Sequence, residues 1–151
     1  MKRADKSPLN MTSWIVFLVL CSFGWMGCQG EVNFSTAKLS DAVTCKSVDQ
    51  TTMKPLDKTD VFSPDVPEIS CSVKLSNAPE DTQVVGEWIY VKGDVEGLTD
   101  HKIADYSLKA DGTKYLSFSL SRPDAGFPKG EYACKLYLNG KERISVPFKV
   151  E

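Results

Sequence analysis

From Ala42 to the C-terminus, the apolar residues of this 151-residue chain recur at every second position rather than every third or fourth. The segment Glu68–Leu75 (EISCSVKL) shows it best. Ile69, Cys71, Val73 and Leu75 fall on one side, and Ser70, Ser72 and Lys74 on the other. Alternation of this kind builds a strand with one face buried and one face wet, the habit of antiparallel sheets. No segment beyond the first 28 residues carries a helical period, so the folded body is expected to be all-β.

Turn residues divide the pattern into short strands. Ala42–Val48 is the first, followed by a crossing loop from Asp49 to Pro67 that holds Pro55, Pro64 and Pro67, with Phe62 as its one large apolar anchor. Glu68–Leu75 and Gln83–Val91 flank a turn at Ser76–Asp81. Ile103–Leu108 and Tyr115–Leu120 flank a turn at Asp111–Gly112. Tyr132–Leu138 and Ile144–Val150 flank Asn139–Gly140, a strong hairpin signal because both residues tolerate positive φ. Pro147 cannot donate to a ladder, which predicts an edge or a bulge at that point. Seven or so strands separated by turn chemistry argue for a β-sandwich.

The amino-terminal residues follow a different rule. Lys2, Arg3 and Lys6 precede an apolar run from Trp14 to Phe23, and Gly24-Trp25-Met26-Gly27-Cys28 closes it. A charged head, an apolar middle and a small residue at the cut make a secretory signal. The run is shorter than the roughly 20 apolar residues of a membrane span. With Gly27 before Cys28, the segment resembles the lipobox of bacterial lipoproteins. The resemblance implies a helical signal peptide over residues 1–27, removal of that peptide, and a diacylglycerol with further acylation on Cys28. The protein would then be held to a membrane by its acyl chains, with each buried methylene worth about 0.8 kcal/mol. Gln29, where Asp would signal inner-membrane retention, points to the outer membrane or cell surface. A plain signal peptide, cut near Gly27 or Gly30 to leave a soluble secreted protein, is the alternative. Residues 28–40 are polar and are expected to form a flexible tether, with 41–151 as the folded domain.

Residues 1–27 hold three basic residues and one acid, leaving 15 basic and 19 acidic residues in the remainder. With no basic cluster and no interleaving of aromatic and basic residues, nucleic acid is not an expected partner. Among the cysteines, Cys45, Cys71 and Cys134 lie in the folded region, and export would place them where disulfides persist. None belongs to a C-x-x-C pair and His101 is the only histidine, so neither a metal site nor a cofactor is expected.

Catalytic sets are equally unsupported. A Ser-His-Asp triad would have to use His101, which lies in a loop-like stretch, and there is no Gly-x-Ser-x-Gly elbow. Asp94, Glu96 and Asp100 lack the spacing of a calcium loop, and the same holds for Asp57, Asp60 and Asp65. No catalytic residue is therefore assigned. A carboxylate-dependent envelope enzyme using Asp94 and Glu96 is the less favoured reading. Tyr106, Tyr115 and Tyr137 are candidates for an exposed binding face, with scattered surface aromatics as the plainer alternative.

Cys71 on one strand, Trp88 on the next, and Gly130-x-Tyr132-x-Cys134 on the penultimate one together resemble the immunoglobulin arrangement over about residues 66–151. The resemblance implies an immunoglobulin-like antiparallel β-sandwich. It also implies a Cys71–Cys134 disulfide between the layers, a core Trp88 against it, and a Tyr132 hydroxyl bonded to the preceding corner. Two unpaired buried thiols are the alternative for the cysteines. The expected function is that of a lipid-anchored cell-envelope protein, a non-catalytic binding or structural module. Its expected partners are the membrane, through the acyl chains, and an envelope protein or polysaccharide. Assembly by strand pairing at an exposed edge is a further possibility.

Overall fold

A computed structural model describes residues 35–151; the signal segment, Cys28 and most of the expected tether lie outside the described residues. The described chain is all-β. It runs β1 (Lys38–Val48), β2 (Pro55–Lys58), β3 (Val61–Phe62), β4 (Glu68–Gly93), β5 (His101–Ser121), β6 (Gly130–Leu138) and β7 (Lys141–Val150). The last residues of the expected tether, Lys38–Ser40, are already strand. Leu39 is buried opposite Leu75, and Thr36 Oγ1 donates to the Asn77 carbonyl at 2.8 Å.

The order across the sheet is β2-β1-β4-β6-β7-β3, with β5 pairing to β4 off that path. β4 and β5 are long enough to serve both layers of an immunoglobulin-like sandwich. The first half of β4 pairs with β1 and with the second half of β5, and its second half pairs with β6 and with the first half of β5. Neither expected turn at Ser76–Asp81 nor at Asp111–Gly112 ends a strand. Instead β4 and β5 pass together from one layer to the other. The ladder shifts register between Leu75 and Ala78 and again between Ala78 and Thr82. Asn77, Asp81 and Gly112, all at positive φ, absorb the bend. Bulges bend a strand and increase its local twist without breaking its pairing, so turn-forming residues here mark corners.

Two other expectations are met in detail. Asn139 (φ 49°) and Gly140 (φ 80°) make the tight β6–β7 turn. Pro147 lies on β7 short of Lys149 and Val150, the two residues that pair with β3, so no ladder to β3 is disturbed. The crossing loop is more ordered than expected. β2 extends the β1 edge, and the Asp49–Lys54 turn folds over the outer face of its layer, where the Met53 carbonyl accepts from Ser72 Oγ at 2.7 Å.

The interior is an aromatic chain between the layers. Phe148 packs edge-on against Phe62 and Trp88, with centroids 5.6 and 5.8 Å away, and stacks on Tyr132 at 5.2 Å. Ile69, Cys71, Val73, Leu75, Leu116, Phe118 and Leu120 face them from the other layer. Full burial of such side chains contributes about 1.5–3 kcal/mol each.

Candidate functional site

Trp88, Cys71, Cys134 and Tyr132, brought together from three stretches of sequence, occupy the interior. Trp88 and Cys134 are register partners across β4 and β6, and both are fully buried. Cys71 comes from the first half of β4, in the facing layer, and its thiol is the neighbour of Cys134 in the same buried cluster. In this structure both are free thiols, so the disulfide implied by the immunoglobulin resemblance is not formed. The fold supplies proximity across the layers; joining the two sulfurs needs a separate oxidation. The contact and the burial together push the Cys134 thiol strongly upward in pKa, so it stays protonated. Trp88 Nε1 finds no hydrogen-bond partner among the described residues, so the indole is held by packing alone.

Cys45 is separate from this pair. It lies opposite Ser70, the neighbour of Cys71, and therefore on the other face of the sheet. Its Sγ approaches the Ser70 carbonyl at 3.7 Å, and burial, followed by the nearby Cys71, raises its pKa to about 11.

Tyr132 donates from its hydroxyl to the Pro128 carbonyl, four residues upstream, fixing the corner that leads into β6. Tyr90, whose ring meets that of Tyr132 edge-on at 5.1 Å, does related work at the same end. Its hydroxyl donates to the Lys129 carbonyl at 3.2 Å and accepts from Val95 N–H at 3.1 Å. The loop after β4 is thereby tied to the loop before β6. Gly93 and Gly130, register partners here, allow that closeness. A Cβ on Gly93 would stand 2.3 Å from the Lys129 carbonyl oxygen and 2.4 Å from the Tyr90 hydroxyl.

Beside this tie, the sandwich opens into a recess of about 190 Å³, walled mainly by Tyr90, Leu98, Ile103, Leu120, Phe127 and Tyr132, with His101 also on its lining. Leu98 and Ile103 are 36% and 41% exposed, and unlike Leu56, Val61 and Leu108, which are exposed elsewhere, they border this apolar recess. The volume suits one apolar side chain or ring, well below the roughly 300–1,000 Å³ of pockets for drug-sized ligands. Sequence reading missed this feature. The available signal was Val95 and Leu98, two aliphatics three residues apart in an otherwise polar loop.

Other sequence candidates are dispersed. Asp94, Glu96 and Asp100 are exposed, as are Asp57, Asp60 and Asp65. Among the described residues, no three His, Cys, Asp or Glu side chains converge as a metal-binding set. The three tyrosines do not share a face. Tyr106 lies on the first half of β5 opposite buried Gly86. Tyr115 lies opposite Lys74 in the other layer, with Lys54 Nζ 6.0 Å from its ring centre. Tyr137 lies on β6 and donates to Glu87 Oε1 at 3.4 Å. The strand period that makes a strand amphipathic sends these rings to different surfaces.

No protein-family description and no curated protein matches the chain. Among solved structures, it is similar to an alkylpurine DNA glycosylase of Pseudomonas fluorescens bound to DNA with an abasic-site analogue. That match has 18% identity and a TM-score of 0.49, covering 78% of this chain and 31% of the glycosylase. It is also similar to an immunoglobulin-like protein of Pseudomonas aeruginosa, with 12% identity and a TM-score of 0.48, over 76% of this chain and 96% of that one. A β-glucosidase of Listeria innocua in complex with laminaribiose matches at 9% identity and a TM-score of 0.48, over 78% of this chain and 16% of the enzyme. The chain thus spans less than a third of the length of the two enzymes, and identities this low transfer no activity.

Proposed function

We propose that this protein is exported, anchored to a membrane by acyl chains on Cys28, and works by contact as a non-catalytic binding or structural module of the cell envelope. The leader Lys2–Cys28 supports the location. The observation that carries the contact role is the recess at the Tyr90–Tyr132 end. There a rigid, hydrogen-bonded corner presents exposed Leu98 and Ile103 around a cavity sized for one apolar group. Burial of such a group from an envelope protein or polysaccharide partner would need no chemistry from the site. The thiols Cys71 and Cys134, already in contact, are placed to close a cross-layer disulfide in an oxidising compartment.

Mass spectrometry of the mature protein from a bacterial host tests the location. The expected result is an amino terminus at Cys28 carrying the added mass of a diacylglycerol, with a Cys28→Ser variant moving from the membrane to the soluble fraction. A polypeptide beginning at Met1, in the soluble interior with its thiols reduced, would overturn the proposal.

A further inference from the structure

We propose that a second copy of this chain pairs with the first half of β5, edge to edge, about a two-fold axis through Ser107. Among the described residues, β5 hydrogen-bonds only to β4, so its other edge is open along the strand. Protein edges are usually protected by proline, short length, distortion or charge, and the charges of the β5 run, Asp105 and Lys109, are of opposite sign and so can also pair. β7 carries Pro147 and β2 is four residues long beginning at Pro55, but the 21 residues of β5 contain no proline.

Between its bulges, β5 has one regular run. The ladder with β4 is unbroken from Ala104 opposite Trp88 to Ala110 opposite Thr82, with register shifts on both sides. The same seven residues, Ala104-Asp105-Tyr106-Ser107-Leu108-Lys109-Ala110, are complementary to themselves when reversed. Antiparallel pairing centred on Ser107 sets Asp105 against Lys109 twice, Tyr106 against Leu108 twice, and Ala104 against Ala110 twice. A two-fold interface requires this self-complementarity. Directly opposed residues share a face, so the charged pairs fall on one face and the apolar pairs on the other.

The register is specific. Moving the axis to Leu108 would oppose Asp105 and Asp111, and moving it to Tyr106 would oppose Ile103 and Lys109. A one-residue slip would put Asp105 against Leu108. Tyr106 and Leu108 are 48% and 37% exposed in the single chain and would be covered. Asp105 and Lys109 hold ion pairs with Lys102 (3.1 Å) and Asp81 (3.4 Å), but all these side chains are at least half exposed and free to exchange partners. The interface is small, so association is expected at the weak end of specific contacts. A shared membrane surface would raise the effective concentration.

The test is sedimentation equilibrium of the full chain in detergent micelles, comparing the wild type with Asp105→Lys, Lys109→Asp and the double exchange. The wild type is expected to show a reversible monomer–dimer equilibrium. Each single reversal should weaken it at least tenfold, and the double exchange should return it to near the wild-type level. In parallel, with Cys21 and Cys28 replaced by serine, Ser107→Cys should give a covalent dimer under mild oxidation while its parent, whose Cys45, Cys71 and Cys134 are buried, does not. Circular dichroism confirms that each variant is folded. A wild type that remains monomeric into the millimolar range would overturn the proposal. So would association equal in all four proteins, the result expected if another part of the chain carried it, or failure of the double exchange to recover pairing.

Discussion

Gly86 lies directly beneath the ring of Phe118: a Cβ added to Gly86 would stand 2.5 Å from Phe118 Cγ and 3.0 Å from its Cβ. Gly86 is on the second half of β4 and Phe118 on the second half of β5, opposite Cys71, so this approach sets the spacing of the two layers at that point. Phe118 is fully buried and anchored from its own backbone, so it cannot swing clear. Gly86→Ala is therefore expected to destabilise the fold by about 1–3 kcal/mol, the usual cost of overpacking. Gly86→Val should cost more. Urea titration followed by tryptophan fluorescence would read the change. An unaltered midpoint for Gly86→Ala would show that the layers are not held at this distance.

Tyr132→Phe isolates one hydrogen bond. It keeps the stack on Phe148 and the edge contact with Tyr90 but leaves the Pro128 carbonyl without its donor. A loss of about 1 kcal/mol is expected. Tyr90→Phe removes a hydroxyl with two backbone partners and should cost at least as much, with faster amide exchange at Val95 as its local signature. Equal exchange at Val95 in wild type and Tyr90→Phe would contradict the role given to that hydroxyl.

The thiols should respond to redox conditions as a pair and a spectator. Joining Cys71 to Cys134 would close a loop of about 63 residues, worth on the order of 4 kcal/mol by chain entropy. Oxidised protein is expected to unfold at markedly higher denaturant than reduced protein. In protein lacking residues 1–27 and with the Cys28 sulfur acylated, as proposed, one free thiol should remain after unfolding, and peptide mapping should place it at Cys45. Unfolding midpoints that ignore reductant, with three thiols titrating in each case, would show that the contact is not converted to a bond.

Two groups give opposite dependences on pH. Cys45 is raised to about 11 by burial, above its ordinary value near 9. Its neutral form is favoured by the fold, so its contribution is complete below about pH 9 and is lost as the pH climbs toward 11. Alkylation of Cys45 in the folded protein should stay slow at pH 8–9, and fast labelling there would refute the assigned burial.

Asp49 behaves in the reverse sense. Its Oδ1 accepts first from the Thr52 N–H at 2.7 Å, and also from the Thr52 hydroxyl at 2.8 Å and the Thr51 N–H at 3.1 Å. These bonds lower its pKa below the usual carboxylate value. The stabilisation is present above the ordinary carboxylate range and is lost as the pH falls through the lowered value. Asp49→Ala should lower the melting temperature at pH 7, and the gap from wild type should close in strong acid. A gap that persists there would assign the effect to something other than the ionised side chain.

Particular residues show where local reading succeeds and stops. The alternation of Ile69, Cys71, Val73 and Leu75 fixes their common face, because side-chain direction in a strand depends only on the pleat. Asn139–Gly140 fixes its hairpin because the turn geometry is contained in two residues. At Asn77–Asp81 and Asp111–Gly112 the same turn chemistry gives corners of continuous strands. Positive φ serves a bend as well as a reversal, and the choice depends on whether a neighbouring strand bends alongside. Leu98 and Ile103 read as ordinary apolar residues. They line a recess only because Phe127 and Leu120 arrive from distant parts of the chain.

By itself, the sequence determined an all-β body, the inward face of each strand and the identity of the residues that would fill the interior. These follow from composition and from a period of two, which act over neighbouring residues. The tertiary structure decided that two strands would serve both layers, that Cys71 and Cys134 would touch while Cys45 faced away, and that the edge of β5 would stay open. Those outcomes depend on which strands come to lie side by side, and that is settled by packing between residues far apart in the chain.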